Sequence, residues 1–161
     1  MAQTKDALTL RYGTKDGHQN TYQPMAASVS IYSGTIALTN ASGLAHPATS
    51  VATTDTCWGL FNGLLNGTPT VSTPIVEGTT AGVDTIGIDT GSFWLTPGTS
   101  GDALTQADVG NVVYVIDEVT VGKTSGGATR PVAGRLVAIG LAQYSGYVAV
   151  LLGNAQTTGS P

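Results

Sequence analysis

Turn residues cut this chain into apolar pieces too short to build long helices. Residues 28–32 end in Ser33-Gly34, residues 35–38 in Asn40-Ala41-Ser42-Gly43, and further apolar pieces at 57–61, 71–76, 83–88, 92–95, 112–116, 134–139 and 147–152 are nearly all separated by turn residues. Pieces of this length, rich in Val, Ile, Thr and aromatic residues, predict strands. Pro69, Pro74 and Pro97 mark edges or turns, because proline cannot donate to a ladder. Alternation across the Ser33-Gly34 turn predicts half-buried strands there. Many short strands at this spacing predict an all-β fold, a compact β-sandwich or β-barrel.

One short helix is expected. Thr105-Gln106-Ala107-Asp108 has the capping-box form, and Gly110 follows closely enough to stop the helix after a single turn. Gly126-Gly127 predicts a turn with positive φ. Residues 1–24 have little periodicity and close on Pro24, which predicts an extended N-terminal arm, with one short strand at 8–12, ahead of a β-rich body at 25–153. Residues 154–161 are small and polar and read as a frayed tail.

Charge narrows the function. The 161 residues are only 10% charged, against roughly 25% in an average soluble domain, so part of the surface is expected to be covered by partners. Net charge is −4, and no Lys or Arg occurs between Lys15 and Lys123. That pattern argues against nucleic-acid binding, which needs a basic patch. Lys5, Arg11, Lys15 and His18 crowd the N-terminal stretch while nine of the ten carboxylates lie from Asp16 onward. The chain therefore reads as a basic arm on an acidic body, or, more simply, as a body with a solvated basic end. Cys57 is the single cysteine. It sits in an apolar run and is expected to be a buried small hydrophobe, with no disulfide and no Cys/His metal framework. No signal pattern and no bilayer-length apolar run is present, so no membrane is expected, and the chain is expected to be made and used in a reducing cytoplasm or in a particle assembled there.

Gly122-Lys123-Thr124 raises the question of a phosphate loop. Such a loop needs a glycine five residues before Gly122 and a helix after the Thr. Position 117 is Asp117, and Ser125-Gly126-Gly127-Ala128-Thr129-Arg130-Pro131 cannot start a helix. Strand, turn, strand is the expected reading, with Lys123 in an exposed turn. His18 and His46 are the only histidines and neither accompanies a nucleophile motif. Asp84, Asp89 and Asp117-Glu118 read as turn residues at strand ends rather than as converging acids. No enzyme and no cofactor is expected. Phe93 and Trp94 are adjacent, so on a strand one faces in and one out. Trp94 is then either an exposed contact residue or the cover of a barrel end.

The stretch from Gly101 through Asp108-Val109-Gly110, Val113-Tyr114-Val115-Ile116-Asp117-Glu118-Val119-Thr120-Val121 and Ser125-Gly126-Gly127-Ala128-Thr129-Arg130-Pro131-Val132-Ala133-Gly134 resembles bacteriophage capsid cement, or decoration, proteins, which are encoded beside the major capsid protein. The likeness is close over 101–139 and looser over 28–40. It departs at Tyr147, where that family tends to carry a Val-Trp pair, and is weak over 50–100. The resemblance implies a virion structural protein on the outer surface of the assembled phage head, placed at capsomer junctions. The implied partners are the major capsid protein and further copies of the chain, a trimer being favoured over a dimer. A phage tail or receptor-binding β-module is the alternative. The partner-contact residues expected are Lys5, Arg11, Tyr12, Lys15, Tyr22 and Trp94. Arg130 is expected to pair with Asp117 or Glu118.

Overall fold

A computed structural model describes residues 20–69, 75–76 and 80–153. It is all-β, with two assemblies packed together. The first is a sheet of β1 (Asn20–Pro24), β8 (Thr85–Asp89), β5 (Thr56–Leu65), β3 (Ile36–Thr39) and β4 (Ala45–Pro47) in that spatial order, with β6 (Thr68–Pro69) paired to β5. The second is a closed barrel of β10 (Val112–Val115), β11 (Thr120–Gly122), β9 (Gly91–Pro97), β13 (Val148–Leu152) and β12 (Val132–Ile139). β2 (Ser30–Ile31) and β7 (Ile75–Val76) form a separate two-stranded ribbon. Every barrel contact is antiparallel except β9 with β11, which is parallel.

The barrel interior follows from alternation. Phe93 and Leu95, Val113 and Val115, and Val148, Val150 and Leu152 point inward, and Ile36, Leu38, Cys57 and Leu60 from the sheet join the same core. Each such fully buried side chain contributes roughly 1.5–3 kcal/mol. Met25, Ile31, Ala37, Ala45, Phe61, Ile86 and Ile88 form a second core. The expectation of a half-buried strand at 35–38 is therefore corrected. β3 is buried on both faces, Ile36 and Leu38 belonging to one core and Ala37 to the other.

The sheet nearly closes on itself. Met25, just past β1, forms a parallel bridge with Ala45 of β4, and the Ala26 amide donates to the Ala45 carbonyl at 2.9 Å. Asn20–Pro24 pairs along its whole length with β8. The boundary expected at Pro24 is thus moved: the last five residues of the expected arm are a strand of the body. The strand expected at 8–12 and the tail 154–161 lie outside the described residues.

Short helices number three rather than one among the described residues, all single 3₁₀ turns, at Ser100–Asp102, Gln106–Asp108 and Ala142–Tyr144. The second is the expected one. Thr105 gives both its amide and its hydroxyl to Asp108 Oδ2, at 2.9 and 2.8 Å, and Gly110 follows at φ +91°. Gly126 and Gly127 have φ +60° and +71°, as the turn required. Gly134 of the Ala133-Gly134 pair faces the Leu151 carbonyl so closely that a Cβ would collide with it. No helix of the described residues is long and apolar enough to cross a membrane.

Candidate partner-binding surfaces

Of the expected contact residues, Lys5, Arg11, Tyr12 and Lys15 lie outside the described residues. Tyr22 lies at the surface. It sits midway along β1, at one side of the sheet, and is 43% exposed. Trp94 is corrected. Alternation does turn Phe93 into the barrel and Trp94 out of it, but Trp94 is only 5% exposed because the Tyr144 ring lies on it, with centroids 4.6 Å apart and planes within 9°. The exposed tryptophan is instead Trp58, the extra residue of a bulge in β5, whose indole N–H donates to Thr39 Oγ1 at 2.9 Å.

The acidic body also changes meaning, because each of the six described aspartates is engaged inside the molecule. Asp55 Oδ2 accepts the Ala52 amide at 2.7 Å, and Asp117 Oδ1 accepts the Val119 and Thr120 amides at 2.9 Å each. Asp84 and Asp89 accept the side-chain amides of Asn66 and Asn62 at 2.7 and 3.1 Å. Asp102 and Asp108 take the cations of the motif.

Gly122-Lys123-Thr124 is answered by those last two contacts. β11 ends at Gly122, and a Cβ there would sit 2.7 Å from Ile116 Cδ1 and 2.9 Å from Asp102 Cβ, so the glycine serves packing. Lys123 Nζ lies 2.8 Å from Asp108 Oδ1, which corrects its placement as a free turn residue, although the side chain stays 51% exposed. Thr124 donates its hydroxyl to Asp102 Oδ1 at 2.6 Å. No helix follows, β12 being the next element. Arg130 is corrected too: it bonds Asp102 Oδ2 at 2.8 Å and the Thr124 carbonyl at 3.2 Å, rather than Asp117 or Glu118. Arg135 donates to the Gly110 carbonyl at 2.7 Å. The three described cations therefore staple the excursion at 98–111 to the barrel.

These contacts set the local acid–base chemistry. The Lys123 ammonium, with the Thr105 amide and hydroxyl, holds the Asp108 carboxyl down to about 2. The Thr124 hydroxyl and then Arg130 lower Asp102. Glu118 moves the other way: burial, then the adjacent Asp117 charge, raise it. Burial pushes the Cys57 thiol up to about 12, which agrees with the small buried hydrophobe expected there.

One pairing was not visible in the sequence. His46, expected in a loop, belongs to β4, with Nδ1 3.1 Å from the Pro47 carbonyl and Nε2 3.4 Å from Asp55 Oδ1. Neither ring nitrogen meets a serine or threonine hydroxyl, so among the described residues no nucleophile completes this pair. No group of three or more His, Cys, Asp or Glu side chains is arranged to hold a metal ion among the described residues. Compared with family models, curated proteins and solved structures, the chain matches none of them.

Proposed function

We propose that this protein is a virion structural component that binds the outer surface of an assembled bacteriophage head at capsomer junctions and stabilises it there, without catalysis. The observation that carries the reading is the position of β1. The N-terminal stretch holding Lys5, Arg11, Tyr12 and Lys15 runs directly into a strand at one side of the sheet, with Tyr22 exposed on it. A chain entering there can add main-chain hydrogen bonds with a neighbouring strand of the shell, the mode by which extended segments join sheets. The likeness of residues 101–139 to head cement proteins supports the same reading. In that segment the charged side chains Asp102, Asp108, Lys123 and Arg130 pair with one another, which suits a scaffold.

The partners in this reading are the major capsid protein and other copies of the chain, as a trimer or else a dimer. Lys5, Arg11 and Lys15 face acidic groups of the shell, and Tyr12 and Tyr22 supply apolar contact. The test mixes shells lacking the protein with the full chain and with a chain beginning at Asn20, which keeps β1. The full chain decorates the shells. The shortened chain folds by circular dichroism and binds more weakly, with less dependence on salt. Equal binding by both would remove the N-terminal stretch from the interface. Gold-labelled protein found on tails alone would replace the head reading by the tail-module one.

A further inference from the structure

We propose that residues 10–15 of this chain fold back through an Asp16-Gly17 turn and occupy the free edge of β1 as a further strand of the sheet. The proposal deepens the reading above, since it names the surface that the N-terminal cations form, but its geometry does not depend on that reading.

The edge of β1 has a fixed pattern. The Met25 amide donates to the Asp84 carbonyl at 2.9 Å, in the register that pairs β1 with β8. Hydrogen-bonded pairs alternate along an antiparallel ladder, so Thr21 and Gln23 also turn their main-chain groups to β8. Thr85, opposite Pro24, obeys the same alternation: its amide donates to Asn66 Oδ1 at 2.8 Å and its carbonyl accepts the Asn66 amide at 2.8 Å. The amides and carbonyls of Asn20 and Tyr22 therefore point away from β8. Among the described residues no strand pairs with them there, β1 being the end of the sheet and β4 bridging only at Met25. An open edge of this kind is a template for one more strand.

The sequence ahead of β1 fits that template. Asp16-Gly17 is a dipeptide suited to a two-residue hairpin turn. Its flanking residues, Lys15 and His18, then form a hydrogen-bonded pair, and the next two such pairs are Gly13 with Asn20 and Arg11 with Tyr22. Those are the residues of β1 whose main-chain groups point outward. The pairs between them, Tyr12 with Thr21 and Leu10 with Gln23, share a face with Met25, Ile86 and Ile88 of the second core. Apolar side chains of the segment thus fall on the core side, and Arg11 and Lys15 fall on the outer side with Tyr22. A slip of one residue would turn Arg11 to the core and Leu10 and Tyr12 to water.

The hairpin gathers one outward patch. Arg11 lies across from Tyr22, where a guanidinium can cover the aromatic face, and Lys15 lies farther along the same side. Two cations around Tyr22 are the surface offered to an acidic partner, while Tyr12 serves the fold.

The test is disulfide formation in the full chain carrying Tyr12→Cys and Thr21→Cys, with Arg11→Cys and Thr21→Cys as the control. A non-hydrogen-bonded pair brings its Cα atoms to about 4.5 Å, within disulfide range, whereas the control side chains leave opposite faces. Cys57 is buried and stays out of the reaction. Under mild oxidation the first variant closes within one chain, about tenfold or more faster than the control. Equal rates, or no bridge, overturn the proposal. A bridge between two chains overturns it too, because the segment then lies on a second copy. In the native chain the Tyr22 amide exchanges with solvent about tenfold or more slowly than in Gly17→Val, whose side chain opposes the positive φ that the turn needs. Equal exchange in those two proteins overturns the proposal even where the cysteine variants fail to fold. Decoration of shells, read separately, tests the head reading by itself.

Discussion

Asp102 and Arg130 stand 28 residues apart in sequence and meet at 2.8 Å, tying the excursion after β9 to the loop before β12. The contact is largely sheltered, the two side chains being 18% and 22% exposed. Arg130→Ala is expected to cost roughly 1.5–3 kcal/mol, the range for hydrogen bonds to a charged group, measured by urea unfolding. Arg130→Lys recovers only part, because the lysine stem is shorter and its ammonium stops short of the Nη1 position from which Arg130 reaches both the carboxylate and the Thr124 carbonyl. An alanine variant as stable as the native chain would reduce the contact to an ordinary surface pair.

Lys123→Ala is expected to lower stability at neutral pH, to weaken its dependence on acid, and to leave nucleotide binding absent. Asp108 is depressed to about 2, so the stability it contributes is present above the ordinary aspartate value of about 3.9 and is lost as pH falls toward the depressed one. Removing the ammonium raises Asp108 toward the ordinary value, so the variant is the less stable at neutral pH, loses less as pH falls, and converges with the native protein in acid. NMR titration of the carboxyl resonance checks the shift. A calorimetric titration with ATP and magnesium should show no heat of binding in either protein, and micromolar binding lost in the variant would restore the phosphate-loop reading.

Glu118→Gln is expected to stabilise the protein at neutral pH. The native carboxyl is raised, chiefly by burial and then by Asp117, so the fold favours its protonated form. The stability it contributes is present below the ordinary glutamate value of about 4.3 and is lost as pH rises through the raised one. The amide does not ionise and escapes that loss. Thermal unfolding at pH 4 and pH 7 should show the two proteins diverging at the higher pH, and parallel profiles would contradict the assignment.

Cys57 should resist alkylation in the native protein and react once denaturant is added. Its thiol is buried and pushed up to about 12, and only the thiolate is an effective nucleophile. Mass spectrometry after iodoacetamide treatment reads the outcome. Labelling at equal rates with and without denaturant would show that the core around β5 opens freely.

The legible parts of the fold are those set by neighbours in sequence. Thr105 and Asp108 are three residues apart, and their cap formed as read. Gly126-Gly127 turned as read. Phe93 and Trp94 took opposite faces because adjacent strand residues must. What escaped depends on partners far along the chain. β3 carries apolar residues at 36, 37 and 38, yet only the packing of barrel and second core explains why both faces are covered. The Thr120–Gly122 strand is three residues long and is held between its hairpin neighbour β10 and the parallel, more distant β9. Arg130 had acidic candidates in the neighbouring hairpin and chose Asp102, because Thr124 already orients that carboxylate. Trp94 read as a contact since nothing local announces that a tyrosine 50 residues later will cover it.

The closure of the barrel gives the molecule two unlike ends. A closed ring of five strands has no unsatisfied ladder to offer, so among the described residues the free strand edges belong to the sheet and to the β2–β7 ribbon. A foreign chain that joins by backbone pairing can do so there alone, while the barrel meets its surroundings through side chains. Attachment of that kind is vectorial: it would orient each molecule on a support in the same sense, and a lattice of them would present one uniform outer skin.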